Sequence, residues 1–504
     1  MTSQNLVLGS RTVFQMRGDN LLLKSSTWVL GAAWFNRALG FLSVFLLARL
    51  LTPTDFGAFA VLLLVIQATS VFTDIGVDQY YIQKLKVSKE ELCACWTLNF
   101  GIKTSLTILL VCLAPFVVTL LEREDLLLPL ITLSFLPLVN AANNGFIIHL
   151  KREMSFHYFA KFAVFGQIAG SVISITIAYF YANYWALVMG MLTNAVTQCC
   201  VSYIFLKERT TFTFIHFRKP LHFGKWLLLR NGVAHIRAKF DVWFAASIFS
   251  LSNVGGYNTL KDIAMLPSRE LVGPLFQVFF SFMSMGNRQE KGFDRIYATC
   301  FVVLLLCIPM TIGLFLLSKD ITLLLLGEQW VVYAPILATL AILTLSATTG
   351  DFVSDALLSR GLVKHVFFYD LITLCVALIS LYFTYQFLTD PDSLAIFRAL
   401  FSVFMFLSSL AWLSVVVKMS AKRLIRMFCI IFICGIVMSF FIFLAYSTFN
   451  NLIVRILFTS IVGATTYFIS IFLATFFPLF SPEDRKLLNQ VAFSIKNKMN
   501  SKAL

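Results

Sequence analysis

Of 504 residues, 59% are hydrophobic and 13% charged, and 40 Lys and Arg stand against 25 Asp and Glu for a net charge of +15. Soluble domains carry about 25% charged residues, so a water-facing globular fold is excluded and lipid must be the main solvent. The positive charges lie between apolar runs rather than on one polar face, which argues against a nucleic-acid binder and for orientation in a membrane.

Residues 1–25 contain Arg11, Arg17, Asp19 and Lys24 and lack a short apolar core followed by small residues. They read as a cytoplasmic segment and not as a secretory signal. From there, windows about 20 residues long, enough to cross a bilayer, predict helices at 26–50, 56–77, 93–120, 126–148, 159–181 and 184–206. A polar linker at 207–225 follows, then helices at 226–249, 255–283, 296–317, 331–357, 366–388 and 394–417, a last pair at 427–446 and 454–477, and a tail at 478–504. These runs are too long and too continuously apolar for the strands of a barrel. The expected fold is an all-α integral membrane protein of about 14 transmembrane helices.

Loop charges test the count. With the N-terminus inside, the inner segments hold 27 Lys and Arg and the outer loops hold two, Arg123 and Lys319. The outer loops carry Asp55, Glu122, Glu124, Asp125, Asp320, Glu328, Asp390 and Asp392 instead. One missed helix would scramble every later loop, so the asymmetry predicts both termini in the cytoplasm. The short knot "LTPTD" becomes a tight outer turn, with Pro53 ending one helix and Asp55 near the start of the next. Ten cysteines lie mostly inside apolar runs without zinc-ligand spacing, so inert buried thiols and no metal are expected.

Several helices are not uniformly apolar, and a mid-membrane charge costs at least about 2.5 kcal/mol. The first predicted helix carries Arg37, and the second Gln67, Ser70, Asp74 and Asp78 at i, i+3, i+7 and i+11. In the seventh, Arg230, Arg237 and Asp241 fall on one face, and in the eighth Asn258, Asp262 and Arg269 do, with Lys261 and Glu270 adjacent. The tenth carries Thr344, Thr348, Asp351 and Asp355. Static ion pairs such as Arg237–Asp241 within one turn are one explanation. A water-filled cavity of net positive charge, whose natural guest is an anion, is the other. Arg49, Lys103, Lys161, Arg398 and Arg455 stand near helix ends, where they are expected to snorkel to the headgroups.

An internal repeat adds to this. "ARLLTPTDFGAF" at 48–59 aligns with "ASIFSLSNVGGY" at 246–257 through Ala48/Ala246 and Gly57/Gly255. Six helices per half entered from the same side suggest two pseudo-symmetric lobes, 26–206 and 226–417, with the two helices of 418–477 as an appendage. The stretches "RALGFLSVFLLARLLTPTDFGAFA", "FTDIGVDQYYIQK" and "FDVWFAASIFSLSNVGGYNTLKDIAMLP" resemble the polysaccharide-transporter branch of the multidrug/oligosaccharidyl-lipid/polysaccharide exporter superfamily, with the Wzx-type flippases nearest. The resemblance implies two lobes around a central cavity in the bacterial inner membrane. It also implies a substrate, undecaprenyl-pyrophosphate-linked oligosaccharide, moved from the cytoplasmic to the periplasmic leaflet.

Cavity arginines on the first helix of each lobe, as in the family, would be Arg37, Arg230 and Arg237; with Lys261 and Arg269 they form the expected pyrophosphate and sugar site. No Walker-type loop is present, so an ion gradient, the membrane potential or the substrate gradient must drive transport, with Asp74, Asp241, Asp262 and Asp351 as coupling or gating candidates. No cofactor and no nucleic acid is expected. The partners are the lipid-linked substrate and membrane lipids, and beyond them a polysaccharide polymerase and a chain-length regulator. A drug or cation antiporter would want an acidic or apolar chamber. A polymerase or glycosyltransferase would want a sizeable outer loop or a catalytic domain.

Overall fold

The computed structural model describes residues 34–73, 88–153, 156–213, 218–284 and 291–476, together with Gly31, Val77 and Tyr81. Among these there is no strand. In chain order the helices are α1 (34–50), α2 (Pro53–Thr73), α3 (Lys89–Leu120), α4 (Leu127–Ser134), α5 (Leu136–Ala141), α6 (Phe146–Arg152), α7 (Phe156–Tyr181) and α8 (Trp185–Phe205). They continue as α9 (Arg218–Ile248), α10 (Leu251–Ala264), α11 (Gly273–Ser284), α12 (Lys291–Leu316), α13 (Ser318–Leu325), α14 (Ala334–Leu340) and α15 (Ile342–Ser359). The last are α16 (Val363–Thr384), α17 (Pro391–Val417), α18 (Ala421–Tyr446) and α19 (Leu452–Phe476).

Among the described residues nine helices are long and apolar enough to cross a membrane. A tenth is gained if Glu328–Leu340 and Ile342–Ser359, bent by 41°, form one span. These ten coincide with ten of the predicted windows. The other four windows, covered by α1, α2, α9 and α10–α11, are helical where described. Pro53–Thr69 of α2 is apolar, α9 carries Arg230, Arg237, Lys239 and Asp241, and the eighth window is interrupted between α10 and α11. The chain is thus an all-α, multi-pass membrane protein.

The chain divides into two compact units. The first runs to Lys239 and includes Ser250–Gly255; the second comprises Phe240–Phe249 and everything from Gly256 onward. In the first, Leu47 of α1 and Leu51 just beyond its end pack with Ala178 and Ala186 of the α7–α8 hairpin. The turn into α2 differs from its expected form. Pro53 begins α2 and does not end α1: Thr52 caps the helix, its hydroxyl and backbone N–H both donating to Asp55 Oδ2, at 2.6 and 2.9 Å. Proline suits the first helical position because its missing N–H would have no partner there anyway.

At the same corner α2 meets the first turn of α10 backbone to backbone. A Cβ on Gly57 would overlap the Leu251 carbonyl, and one on Gly255 the Pro53 carbonyl. The two glycines that the internal repeat aligns therefore face each other.

In the second unit one core joins α12, α15, α17, α18 and α19, through residues such as Leu304, Phe352, Leu413, Ile431 and Tyr467. The last two helices share this core, and the Tyr467 hydroxyl donates to the Leu305 carbonyl at 2.9 Å.

Candidate functional site

The most deeply buried charged group among the described residues is Asp241, with none of its surface exposed. It sits on the part of α9 that belongs to the second unit, and its partners come from two other helices. Lys261 of α10 donates to both carboxylate oxygens at 2.6 and 2.7 Å. The Tyr257 hydroxyl, one turn earlier on α10, donates to Oδ2 at 2.8 Å. Arg398 of α17 donates from Nε at 3.1 Å. Its guanidinium carbon lies 5.4 Å from the Phe240 ring and 5.6 Å from that of Phe401, within cation–π range. One carboxylate thus meets two cations in a nearly dry setting: the Lys261 and Arg398 side chains are 7% and 12% exposed.

Two sequence expectations change here. Lys261, expected among the substrate ligands, directs its ammonium to Asp241, because a buried carboxylate attracts the nearest long cation. Arg398, expected to snorkel, turns inward to the same carboxylate. No spacing rule within one helix could reveal either contact, since the partners are 20 and 157 residues away. Asp241 itself, expected as a coupling carboxylate, is held by two cations and a hydroxyl. Its charge therefore does not depend on Arg237.

Further along, Pro267–Val272 winds as a π-helix between α10 and α11. Proline lacks the donor that would continue the α ladder, and the wider winding shifts the backbone pairing. Side chains of α15 bond to this stretch: Thr344 Oγ1 donates to the Ala264 carbonyl at 2.6 Å, and Thr348 Oγ1 to Ser268 Oγ at 2.9 Å. The polar stripe expected on this helix thus splits in two. Thr344 and Thr348 are fully buried and serve the break, whereas Asp351 is exposed. Within the broken helix Arg269 donates to Asp262 at 3.2 Å, both side chains about half exposed, and Asn258 donates to the same carboxylate at 3.4 Å. That pair sits where water or a ligand could reach it.

In the first unit Arg37 is half-buried, with its guanidinium carbon 5.8 Å from the Trp34 ring. Arg237 is also half-buried on α9. Arg230 lies on the helical course of α9, its side chain outside the described residues, and Asp74 lies outside them altogether.

The same unit holds an uncharged polar ladder that charge-based reading missed. Ser43 of α1 donates to Ser171 at 2.6 Å, Gln167 donates to Ser171 at 3.3 Å, Asn194 to Gln167 at 3.2 Å, and Gln198 to Asn194 at 2.6 Å. The signal was present: Gln167 and Ser171 stand at i and i+4, as do Asn194 and Gln198, in otherwise apolar segments. Such amides bond across helices because hydrocarbon offers no alternative partner.

Arg455, also expected to snorkel, is paired too: it donates to both oxygens of Asp320 at 2.8 and 2.6 Å. Asp320 is 2% exposed and takes a third bond from the Tyr446 hydroxyl at 3.3 Å. This pair ties α13 to α19 and to the end of α18. Charges at membrane depth thus fall into two classes. Asp241–Lys261–Arg398 and Asp320–Arg455 bind helices together. Arg37, Arg237 and the Asp262–Arg269 pair keep part of their surface accessible.

Comparison with known proteins gives these sites a setting. A family model described as "Polysaccharide biosynthesis protein" matches residues 46–335, more than half of the chain. The lipopolysaccharide biosynthesis protein WzxC of Escherichia coli (strain K12) is 24% identical over 344 residues, 66% of this chain and 70% of that protein. The succinoglycan biosynthesis transport protein ExoT of Rhizobium meliloti (strain 1021) is 23% identical over 339 residues, 66% of this chain and 67% of that one. Among solved structures, the lipid II flippase MurJ in an inward closed conformation superposes with a TM-score of 0.71 at 16% identity, covering 88% of this chain and 97% of that one. An inward-facing multidrug MATE transporter gives 0.58 at 15% identity, covering 77% and 96%. The two structures show a shared fold.

Proposed function

The chain belongs to the family of polysaccharide biosynthesis proteins, in the polysaccharide-transporter branch of the exporter superfamily, and from that premise we propose that it is a lipid-linked oligosaccharide flippase. It is a transport protein and not an enzyme. The fold is shared with a multidrug transporter, so it does not choose the substrate. The observation that carries the reading is the family match over 46–335, which spans the helices holding Arg230, Arg237 and Arg269. Cations at membrane depth are costly and are retained for function, and guanidinium groups grip a pyrophosphate bidentately.

In this mechanism Arg37, Arg230 and Arg237 of the first unit receive the pyrophosphate and first sugars of an undecaprenyl-linked repeat unit while the lipid tail stays in the bilayer, and Arg269 is a separate anion ligand within the second unit. The two lobes then expose the headgroup alternately to the cytoplasmic and periplasmic sides. Asp262 releases Arg269 to the arriving anion and takes it back on departure. Asp74 and Asp351 are the remaining candidates for coupling to an ion gradient. The protein sits in the inner membrane with both termini and the loop at 207–225 in the cytoplasm, and hands its cargo to a polymerase and chain-length regulator.

Deleting the gene should leave lipid-linked repeat units on the cytoplasmic leaflet and abolish surface polysaccharide. Arg237→Ala should do the same at normal protein level, and Arg237→Lys should restore part of the export. Full export by the Arg237→Ala protein removes Arg237 from the site. Repeat units that reach the periplasmic leaflet in the deletion strain defeat the flippase reading itself.

A further inference from the structure

The last two helices of the second unit carry cations and no acid: no Asp or Glu occurs between Asp392 and Glu483. Lys422, Arg423 and Arg426 fall in the first turns of α18, and they divide. Arg423 turns into the unit, 11% exposed, with Nη1 3.7 Å from Asp294 Oδ1 and its guanidinium carbon 4.1 Å from the Tyr297 ring. Lys422 and Arg426 stay outside. They are exposed, one helical turn apart, and neither has a hydrogen-bond or ion-pair partner among the described residues. Together with Ile425 they line an open pocket of about 630 Å³. From Ile425 an apolar face continues along the helix through Ile433, Ile436, Phe440 and Phe443, each more than half exposed. At 1.5 Å per residue this face runs about 27 Å, close to the ~30 Å of a bilayer's hydrocarbon core.

We propose that Lys422, Ile425 and Arg426 form a site for the headgroup phosphate of an anionic phospholipid, whose acyl chain lies on the apolar face of α18. Arg426 offers a planar fork to two phosphate oxygens and Lys422 a point charge beside it. Charge selects the headgroup: a zwitterionic lipid brings its own ammonium, which two exposed cations repel, whereas an anionic one does not. The apolar face selects a lipid over dissolved phosphate, because a chain lying along α18 covers surface that begins at Ile425 inside the same pocket. Loop charge of the kind that orients a chain in the membrane needs neither a pocket nor a pair of cations one turn apart. The site is independent of the flippase reading, since a resident phospholipid is not the cargo and uses none of Arg37, Arg230, Arg237 or Arg269.

The test is native mass spectrometry of the full-length chain, delipidated in detergent at fixed ionic strength. It is titrated with phosphatidylglycerol, with phosphatidylcholine of the same acyl chains, with inorganic phosphate and with geranylgeranyl pyrophosphate. Wild-type protein should bind a first phosphatidylglycerol in preference to the other three. Lys422→Gln/Arg426→Gln should weaken that binding about thirtyfold, the value of two cations at a membrane surface, and each single change about fivefold. Phosphatidylcholine binding and the lipid-free melting midpoint should stay at wild type, because both side chains are exposed. Lys319→Gln/Lys364→Gln removes the same charge from two other exposed cations of the unit and should leave phosphatidylglycerol affinity unchanged. Equal loss in the two double variants shows general attraction to a positive surface and overturns the site. Wild-type affinity in Lys422→Gln/Arg426→Gln overturns it too, as does equal binding of the two phospholipids or of inorganic phosphate by the wild type. Tighter binding of geranylgeranyl pyrophosphate through these residues assigns them to the cargo and defeats the resident-lipid site, while the flippase reading stands or falls on the deletion strain alone.

Discussion

Replacing Asp241 by Asn keeps the shape of the side chain and removes its charge. In the wild type the carboxylate accepts from Lys261, Tyr257 and Arg398, and Oδ1 also accepts from the Val242 N–H at 3.0 Å. After substitution, Lys261 and Arg398, 7% and 12% exposed, lose the carboxylate they share, and an amide NH2 faces donors on every side. Removing one partner from a buried ion pair costs about 3–5 kcal/mol. At 1.36 kcal/mol per tenfold, the lower figure shifts the folded-to-unfolded ratio more than about a hundredfold. Arg398→Gln and Lys261→Met each leave the carboxylate one cation, so both should cost less than Asp241→Asn. Adding Lys261→Met and Arg398→Gln to Asp241→Asn should recover much of the loss, since none of the three charges then stays buried. The assay is the melting midpoint of detergent-solubilised protein, followed by the monodisperse fraction on gel filtration after heating. An Asp241→Asn midpoint equal to wild type, or one above that of Arg398→Gln, would refute the charge-balance reasoning. Pairing Arg237→Ala with Asp241→Ala should not rescue folding, because the cations abandoned by Asp241 are Lys261 and Arg398.

Gly57→Leu and Gly255→Leu should each abolish export or accumulation of folded protein, since the added atoms meet the Leu251 or Pro53 carbonyl; Gly101→Ala, with open space around it, should be silent in the same export assay. Arg455→Ala strands Asp320, which is 2% exposed, and should lower the melting midpoint, with Arg455→Ala/Asp320→Asn recovering part of it. Thr344→Val removes the bond to the Ala264 carbonyl and should cost about 1–3 kcal/mol, the penalty for an unsatisfied buried acceptor; Thr339→Val, whose hydroxyl bonds only to its own helix, is the control and should not shift the midpoint. Cysteines placed at 389–393 should react with impermeant reagents from the periplasm, and those at 207–225 should not. The reverse result would invert the topology.

What the sequence by itself determined is everything set by solvent and by period. An 18-residue apolar run has one stable form in lipid, so ten spans lie where hydropathy put them. The family was legible for a related reason: the corner at 48–60 is a local pattern of turn, cap and glycine. The Gly57/Gly255 alignment also pointed to a real junction, since only residues without a Cβ permit that approach.

Tertiary structure decided which charges are accessible and which are consumed. Arg398 looked like a snorkelling end residue, and Lys261 looked like a ligand. Helix periodicity shows which residues share a face, but not which distant helix supplies the counter-charge to Asp241 across 157 residues. The same limit hid Thr344 and Thr348, whose partners Ala264 and Ser268 lie 80 residues away at the π-helical break. Pair energies at low dielectric act over a few ångströms, and only the fold determines which groups come that close.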